Sequence, residues 1–268
     1  MFSYADDTTL IVTASTLKAA ITSANNDLSK LDQWFQENRI KLNFSKSNAI
    51  LFQSQNSKLA LRNDSIIINN IPISNVDQEP LLGLQITSSL AWNIHIDKIC
   101  LKLSFINSIL FKLKMNGLPS KCILRVYKTL FLPYINYCAV VWGFTTKGNL
   151  NRLQVLQNKA IRITFGLKKR QNLDRIFSNY KLFKIRQLIH RLSCMFIHQD
   201  VLYSQADSPF HQVFRYSNYT NHSTISQDNK KLFLPSVTTA SRHSTISSKI
   251  YSFTMGCPLS FAHYHIMV

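Results

Sequence analysis

Residues 2–12 read FSYADDTTLIV, with two adjacent aspartates between segments of apolar and β-branched residues. Two β-prone segments on either side of a polar centre are typical of a β-hairpin. Aspartate is common in tight turns, because its side chain accepts hydrogen bonds from the nearby backbone. We therefore expect a hairpin with Asp6 and Asp7 at or beside its turn.

Metal binding is a second explanation for the paired aspartates. Carboxylate oxygens are the ligands that Mg²⁺ prefers, so two neighbouring aspartates could hold such an ion. Adjacent residues on a flat strand point to opposite faces, so neighbouring carboxylates converge only where the backbone turns. The pair alone supports a structural turn and a metal site about equally.

The first 92 residues alternate between helical and strand-like patterns. Thr16 is placed to cap a helix in which apolar residues recur at spacings of three and four from Leu17 to Phe35. Strands are predicted at about residues 48–52, on either side of Asn69–Asn70, and in the segment LLGLQI at 81–86. We expect an α+β fold here, with a partial, largely antiparallel sheet and one packed helix.

Residues 93–203 and 204–268 have different patterns. The middle segment shows helical spacing of apolar residues, interrupted at Gly117 and Pro119, at Pro133 and at Gly166, which predicts an all-α bundle with a basic outer face. The last segment contains 18 Ser and Thr and no sustained periodicity, so we expect a largely disordered tail.

Charge is concentrated in the middle segment. The chain carries a net charge of +18, but residues 1–92 have 7 Lys and Arg against 8 Asp and Glu, whereas residues 93–203 have 19 against 3. Such concentrated positive charge indicates a polyanionic partner, because each neutralised phosphate releases a counterion. Lysines that only keep helices soluble are the alternative, but soluble helices usually mix both signs.

Other features narrow the class of protein. The five cysteines are scattered and form no CxxC pair, which argues against a disulfide framework or a zinc site, and we expect them in the core. The three tryptophans, Trp34, Trp92 and Trp142, are also expected in the core. No segment has the roughly 18 apolar residues of a membrane span, and no secretory signal is recognisable. An intracellular location, nuclear or cytoplasmic, with no membrane partner is expected.

Five motifs follow one another in a recognisable order: YADD at 4–7, RIKLNFSKSNAILF at 39–52, LLGLQITSSLAWNIHIDKI at 81–99, LPYINYCAVVWG at 132–143 and NRLQVLQNKAIRITFG at 151–166. This order resembles that of the reverse transcriptases, or RNA-directed DNA polymerases, of jockey-type non-LTR retrotransposons. The resemblance covers about residues 1–200. It implies that residues 1–92 are the C-terminal part of a polymerase palm and that residues 93–203 are a thumb-like helical region.

The resemblance also implies roles for individual residues. Asp6 would be a Mg²⁺ ligand and Asp7 its less direct companion, Lys46 would assist the leaving pyrophosphate, and Leu82 and Gly83 would form the primer grip. Tyr4 is expected to pack beneath the turn. The predicted nucleic-acid-binding residues are Lys102, Lys112, Lys114, Arg152, Lys159, Arg162, Lys168, Lys169 and Arg170.

Reverse transcriptases also need fingers and a third palm aspartate, both preceding the YADD box, where this sequence has only three residues. We therefore expect an isolated chain that binds Mg²⁺ weakly and is catalytically incomplete. RNA template, DNA primer and the upstream part of the same polyprotein are the expected partners. A non-catalytic nucleic-acid-binding module and a decayed mobile-element remnant stay open as alternatives.

Overall fold

A computed structural model describes residues 1–52, 65–203, 215–216, 232–233 and 264–267. The chain divides into two compact units. One unit comprises Met1–His95 together with Leu259–Val268, and the other comprises Ile96–Pro258. Most of the tail that we predicted to be disordered lies outside the described residues.

The described residues mix short strands with longer helices. The strands are β1 (Phe2–Tyr4), β2 (Asp7–Thr9), β3 (Ile11–Ala14), β4 (Asn48–Phe52), β5 (Ile67–Ile68), β6 (Ile71–Pro72), β7 (Ser74–Asn75), β8 (Gln78–Leu81), β9 (Leu84–Thr87), β10 (Arg215–Tyr216), β11 (Leu232–Phe233) and β12 (Tyr264–Met267). The α-helices are α1 (Leu17–Glu37), α2 (Asn93–Met115), α3 (Ser120–Val126), α4 (Leu132–Asn136), α5 (Ala139–Trp142), α6 (Lys147–Phe165), α7 (Asp174–Asn179) and α8 (Ile185–Tyr203). The assignment of these elements to a palm and a thumb stays a prediction.

Helix α1 begins where the sequence predicts. The Oγ1 atom of Thr16 accepts a hydrogen bond from the backbone N–H of Ala19 at 3.2 Å, which satisfies one of the unpaired donors of the first turn. The helix buries Ala20, Ala24 and Leu28. These residues belong to the hydrophobic core of the first unit, together with residues of β3 and β4.

A four-stranded sheet forms the centre of the first unit, in the order β3-β12-β4-β7. Strand β12 is antiparallel to both β3 and β4, whereas β4 and β7 are parallel. The predicted strand at residues 48–52 is confirmed as β4. The C-terminal strand β12 was not predicted, because its four residues lie in a segment with few strand signals.

The turn between β5 and β6 is also as predicted. Asn69 and Asn70 have φ values of 49° and 61°, and asparagine tolerates this left-handed region better than most residues. The side chain of Asn25 on α1 holds this hairpin: its Nδ2 donates to the carbonyl of Ser65, and its Oδ1 accepts from the N–H of Ile67, both at 3.0 Å.

The second unit has a core of large side chains. Tyr127, Phe131, Ile135 and Trp142 are fully buried. The indole Nε1 of Trp142 donates to the carbonyl of Tyr137 at 2.8 Å, so burial of this ring leaves no unsatisfied donor.

The predicted break at Pro133 is wrong. A π-helical turn, Tyr127–Phe131, precedes the proline and leads directly into α4, and the chain leaves helical geometry only at Tyr137. Pro133 lies in the first turn of α4, directly after the π-helical turn. The next helix, α5, begins after Cys138, whose φ is 48°.

Two predictions about core residues need correction. Trp92 and Trp142 are buried, but Trp34, near the C-terminal end of α1, is 49% exposed. None of the four described cysteines is fully buried: Cys100 and Cys138 are half-buried, and Cys122 and Cys194 are exposed. Cys257 lies outside the described residues.

Candidate functional site

The aspartate pair lies at the tip of a tight hairpin. Strands β1 and β2 pair antiparallel with Tyr4 opposite Asp7, so that Ala5 and Asp6 form a two-residue turn. Ala5 has a φ of 51°, in the left-handed region that hairpin turns of this length require. Asp6 is therefore in the turn and Asp7 is the first residue of β2, as predicted, and both side chains are exposed.

Tyr4 does not pack beneath this turn. Its side chain is 69% exposed, because the β1–β2 hairpin forms a two-stranded sheet of its own and is not part of the four-stranded sheet. The expectation that the ring supports the aspartates is wrong.

The donor chemistry at the hairpin tip fits a hard divalent cation. Carboxylate oxygens are the ligands that Mg²⁺ prefers, and Asp6 and Asp7 place two of them on neighbouring residues. Within the described part of the chain, no group of three or more His, Cys, Asp or Glu side chains is placed to hold a metal ion. Mg²⁺ binding by this pair stays a prediction.

Lys46 lies on a different element of the same unit. It ends a short 3₁₀ helix, Phe44–Lys46, and its backbone N–H donates to the carbonyl of Asn43 at 3.0 Å. The side chain is exposed. The predicted role at a leaving pyrophosphate is not tested by this geometry.

Leu82 and Gly83 are not in a strand. They form the two-residue turn between β8 and β9, with Leu81 paired to Leu84. Their φ values are 45° and 80°, and positive values at both central positions define the turn that best matches the twist of a hairpin. The predicted single strand LLGLQI is therefore a hairpin, and the predicted primer-grip residues are at its tip.

The predicted nucleic-acid-binding residues of α2 and α6 differ in exposure. Lys102, Lys112 and Lys159 are exposed, whereas Lys114 and Arg162 are half-buried. The buried Nε of Arg162 has no hydrogen-bond partner among the described residues. The exposed lysines are thus the ones that are free to approach a phosphate backbone without rearrangement.

The C-terminal ends of α2 and α6 lie close together. The Nζ of Lys114 hydrogen-bonds with the Oγ of Ser120 at 3.2 Å, and a Cβ added at Gly166 would lie 3.5 Å from the Cε of Lys114. Lys114 therefore lies beside the end of α6, where the helix dipole favours a cation. We call Lys112, Lys114, Lys168, Lys169 and Arg170 the basic cluster, since they lie at or just beyond these two helix ends.

The residues that follow α6 extend this cluster. Lys168, Lys169 and Arg170 are exposed in the loop before α7. The backbone N–H of Lys168 donates to the Oε1 of Gln171 at 2.8 Å, which fixes the loop without using the lysine ammonium group.

Arg152 is already engaged by an acid. Its guanidinium forms an ion pair with Asp97 and also donates to the Oδ1 of Asn149 at 3.3 Å. The hydrogen bond to Asp97 raises the pKa of Arg152 above its ordinary value. Arg152 therefore stabilises the packing of α6 on α2, and its predicted contact with nucleic acid would compete with Asp97.

Asp174 forms a second ion pair in this unit. The Nζ of Lys184 lies 2.8 Å from the Oδ1 of Asp174. Hydrogen bonds from Lys184 and then from Asn172 lower the pKa of the carboxyl group below its ordinary value. Both of the acids whose side chains are described in residues 96–199 are thus neutralised by neighbouring cations.

A row of basic residues on α3 and the π-helical turn that follows it was missed at the sequence level. Lys121, Arg125 and Lys128 are exposed and follow one another at spacings of four and three, which places them on one face of a helix. The spacing is visible in the segment SKCILRVYK, for which only helical structure was predicted.

None of the helices among the described residues has the length and hydropathy needed to cross a bilayer. No family model matches the sequence, and the search of solved structures found no match.

The curated relatives are polymerases from two mobile elements, jockey and the X-element. The chain is 23% identical to the RNA-directed DNA polymerase from mobile element jockey of Drosophila melanogaster over 165 residues, which are 61% of this chain and 18% of that protein. It is 23% identical to the jockey polymerase of Drosophila funebris over 168 residues, with the same shares of the two chains. It is also 23% identical over 144 residues to the probable RNA-directed DNA polymerase from transposon X-element of Drosophila melanogaster, covering 51% of this chain and 15% of that protein.

The chain therefore spans less than a fifth of the length of the relatives that it matches. The resemblance inferred from the motifs is confirmed: the chain is similar to a segment of the reverse transcriptases of jockey-type non-LTR retrotransposons.

Proposed function

We propose that this chain is part of an RNA-directed DNA polymerase of a non-LTR retrotransposon and that its helical unit binds the nucleic-acid substrate. The names of the three relatives support the class of enzyme. The hairpin with Asp6 and Asp7 at its tip supports a metal-dependent role for the first unit. Template RNA and primer DNA are the proposed ligands.

The observation that carries the proposal is the charge of residues 93–203, most of which belong to the second unit. Residues 93–203 hold 19 Lys and Arg and only 3 Asp and Glu. Asp97 and Asp174 are both held in ion pairs, so they neutralise Arg152 and Lys184 and not the exposed lysines of the basic cluster. A surface with so few acids attracts polyanions through counterion release.

The hairpin would hold Mg²⁺ through Asp6, with Asp7 as the neighbouring carboxylate. When bound, the ion supplies activation of a hydroxyl nucleophile and charge neutralisation of phosphate oxygens. The exposure of both carboxylates leaves them accessible to an ion and a substrate phosphate. Lys46, also exposed and on the same unit, is proposed to approach the pyrophosphate group.

The isolated chain is proposed to be catalytically incomplete. Two carboxylates give a weaker magnesium site than three, because Mg²⁺ affinity rises with the number of charged oxygen ligands. The chain also corresponds to only 18% of the jockey polymerase.

A non-catalytic nucleic-acid-binding module is the second candidate. It is favoured by the positions of two groups of residues along the chain. The basic residues lie in the second unit, whereas the aspartate hairpin lies in the first. The two candidates predict the same binding of polynucleotides. They differ in whether Asp6 binds a divalent ion.

Substitution of the loop cations tests the proposal. The triple variant Lys168→Ala, Lys169→Ala, Arg170→Ala removes three exposed positive charges of the basic cluster. We expect it to weaken binding of an RNA–DNA duplex and to reduce the slope of log K against log salt by roughly one for each phosphate that the variant no longer neutralises. Fluorescence anisotropy of a labelled duplex measures both quantities.

The matched control removes the same charge from the first unit. Lys18, Lys30 and Lys41 are exposed there, and the variant with alanine at all three positions should bind almost as tightly as the unmodified chain. Equal losses in the two triple variants would show that only net charge matters, and would contradict a binding surface on the helical unit.

A further inference from the structure

Helix α8 carries a histidine and a cysteine on its solvent side. The opposite side is anchored in the core of the second unit, where Ile185, Leu188 and Ile189 are buried. His190 and Cys194 are both exposed and lie four residues apart, which places them next to each other on one face of the helix. Core packing therefore holds the backbone that carries the pair, while both side chains stay accessible to an ion.

Neighbouring helices fix the position of α8. At its first residue, the backbone N–H of Ile185 donates to the Oε1 of Gln154 on α6 at 2.9 Å. Directly after α5, Gly143 approaches α8 so closely that a Cβ there would collide with the side chain of Ile189. A pair of ligands on a helix held in this way needs little reorganisation to bind an ion.

The separation of the two side chains is close to the one that tetrahedral zinc requires. Zn²⁺ binds cysteine sulfur at about 2.3 Å and histidine nitrogen at about 2.0–2.1 Å, so at a tetrahedral angle the sulfur and the nitrogen are about 3.5 Å apart. The Sγ of Cys194 lies 3.8 Å from the Nδ1 of His190 and 3.9 Å from its Nε2. A small side-chain movement, with rotation of the imidazole ring, brings either nitrogen to the chelating distance.

We propose that His190 and Cys194 form a two-ligand site for Zn²⁺, a borderline-soft cation that takes thiolate and imidazole ligands. Ligands four residues apart on a helix can bind one zinc ion, because both side chains are on the same face. No third His, Cys, Asp or Glu among the described residues joins the pair, so water fills the two remaining tetrahedral positions. The lack of a CxxC pair argues against a closed structural zinc site, whereas this site stays open to solvent.

Cys194 differs from the other described cysteines in having a histidine one helical turn away. Cys122 is also exposed, but the residues four positions away on either side are apolar. Cys100 and Cys138 are half-buried, and burial raises the pKa of both thiols, which disfavours the thiolate that zinc binds. Cys122 is therefore the matched control for an exposed thiol without a histidine partner.

The site differs in ion preference from the proposed magnesium site. Asp6 and Asp7 offer hard carboxylate oxygens, which suit Mg²⁺, whereas imidazole and thiolate suit Zn²⁺. The two sites are on different units of the chain. Millimolar Mg²⁺ should therefore leave zinc binding at His190 and Cys194 unchanged, and zinc binding there does not depend on the proposed polymerase role.

Protection of the thiol by zinc is the direct test. The full chain is treated with iodoacetamide with and without added Zn²⁺, and alkylation of each cysteine is followed by peptide mass spectrometry. We expect saturating Zn²⁺ to slow alkylation of Cys194 at least roughly tenfold, because the bound sulfur is no longer a free nucleophile, and to leave Cys122 unchanged. Equal slowing at the two cysteines, or no slowing at Cys194, would overturn the proposal.

Paired histidine variants identify the second ligand. His190→Ala removes the nitrogen ligand, so the zinc concentration that gives half-protection of Cys194 should rise at least roughly tenfold. His198→Ala is the matched control, because His198 is also exposed and lies four residues from Cys194 on the other side. Equal effects of the two variants, or no effect of His190→Ala, would contradict the assignment of His190.

Cobalt gives an independent spectroscopic measurement of the same site. Zn²⁺ is d¹⁰ and gives no d–d absorption, so Co²⁺ is used as the probe. The full chain should show a thiolate-to-cobalt charge-transfer band that Cys194→Ser removes and Cys122→Ser does not. A band of equal intensity in both serine variants would show that Cys194 is not the ligand.

Discussion

At the level of single residues, the aspartate pair is defined by the turn that carries it. Ala5 adopts a φ of 51°, which reverses the chain so that Asp6 is in the turn and Asp7 begins β2. The position of this turn was predictable, since aspartate and β-prone flanks are local signals. The exposure of Tyr4 was not, because it depends on whether the hairpin joins a larger sheet.

Asp6→Asn should weaken binding of a divalent ion. The substitution removes a charged oxygen ligand from a pair of neighbouring carboxylates, and we expect a loss of roughly tenfold, equivalent to about 1.4 kcal/mol. Electron paramagnetic resonance of added Mn²⁺, used as a probe for Mg²⁺, measures the affinity.

Asp27→Asn is the matched control for this substitution. Asp27 is an acid on α1 of the same unit and lies 3.8 Å from the Nζ of Lys30. The control should leave the Mn²⁺ affinity unchanged. Identical affinities for all three chains would favour the non-catalytic module over a part of a polymerase.

Tyr127 should make the stability of the chain sensitive to alkaline pH. Burial raises the pKa of this phenol to about 12, while a hydrogen bond from the Nε2 of Gln157, 3.0 Å from its hydroxyl, acts in the opposite direction. The unfolded value is about 10, so the neutral form is stabilised by folding. That contribution is complete below about pH 10 and is lost as the pH rises towards 12.

The variant Tyr127→Phe isolates this effect. Between about pH 10 and pH 12, the free energy of unfolding of the unmodified chain, measured by urea denaturation, should fall by more than that of Tyr127→Phe. The two decreases should differ by up to roughly 3 kcal/mol. Tyr134→Phe is the control, since this tyrosine is exposed. Parallel pH profiles for Tyr127→Phe and the unmodified chain would contradict the burial effect.

At the level of elements, the two ends of α6 show how glycine acts in different positions. Gly166 ends the helix with a φ of 66°, and its N–H donates to the carbonyl of Ile163 at 3.3 Å. Gly148 is in the first turn, has no positive φ, and a Cβ there would meet only the Oγ1 of Thr146 at 3.8 Å.

These two glycines should respond oppositely to alanine. Gly166→Ala should destabilise the chain by about 1 kcal/mol, because L residues are strained in the left-handed region. Gly148→Ala should stabilise it by up to about 1 kcal/mol, because alanine has the higher helix propensity. Urea denaturation gives both values, and shifts of the same sign would contradict the geometry of the helix ends.

Helices were predicted more accurately than strand connections, for physical reasons. The spacing of apolar residues and the cap at Thr16 are local, and α1 and α6 follow them. The π-helical turn before Pro133 could not be predicted from local signals, because it depends on the packing that places Tyr127 and Phe131 in the core of the second unit. The turn at Leu82–Gly83 was missed because a short apolar segment around one glycine fits a strand equally well.

At the level of the whole molecule, charge was predictable and topology was not. The basic character of residues 93–203 follows directly from the count of side chains. The pairing of Arg152 with Asp97 could not be predicted, since these residues are far apart in sequence. The insertion of β12 between β3 and β4 is less predictable still, because it joins residues from opposite ends of the chain.

The salt dependence of polynucleotide binding by the full chain tests the central claim most directly. The equilibrium constant for a labelled RNA–DNA duplex would be measured by anisotropy between about 50 and about 200 mM salt. The account predicts a linear fall of log K with log salt and a loss of at least about tenfold over this range. Equal affinity at both ends of the range, or no binding at either, would contradict it.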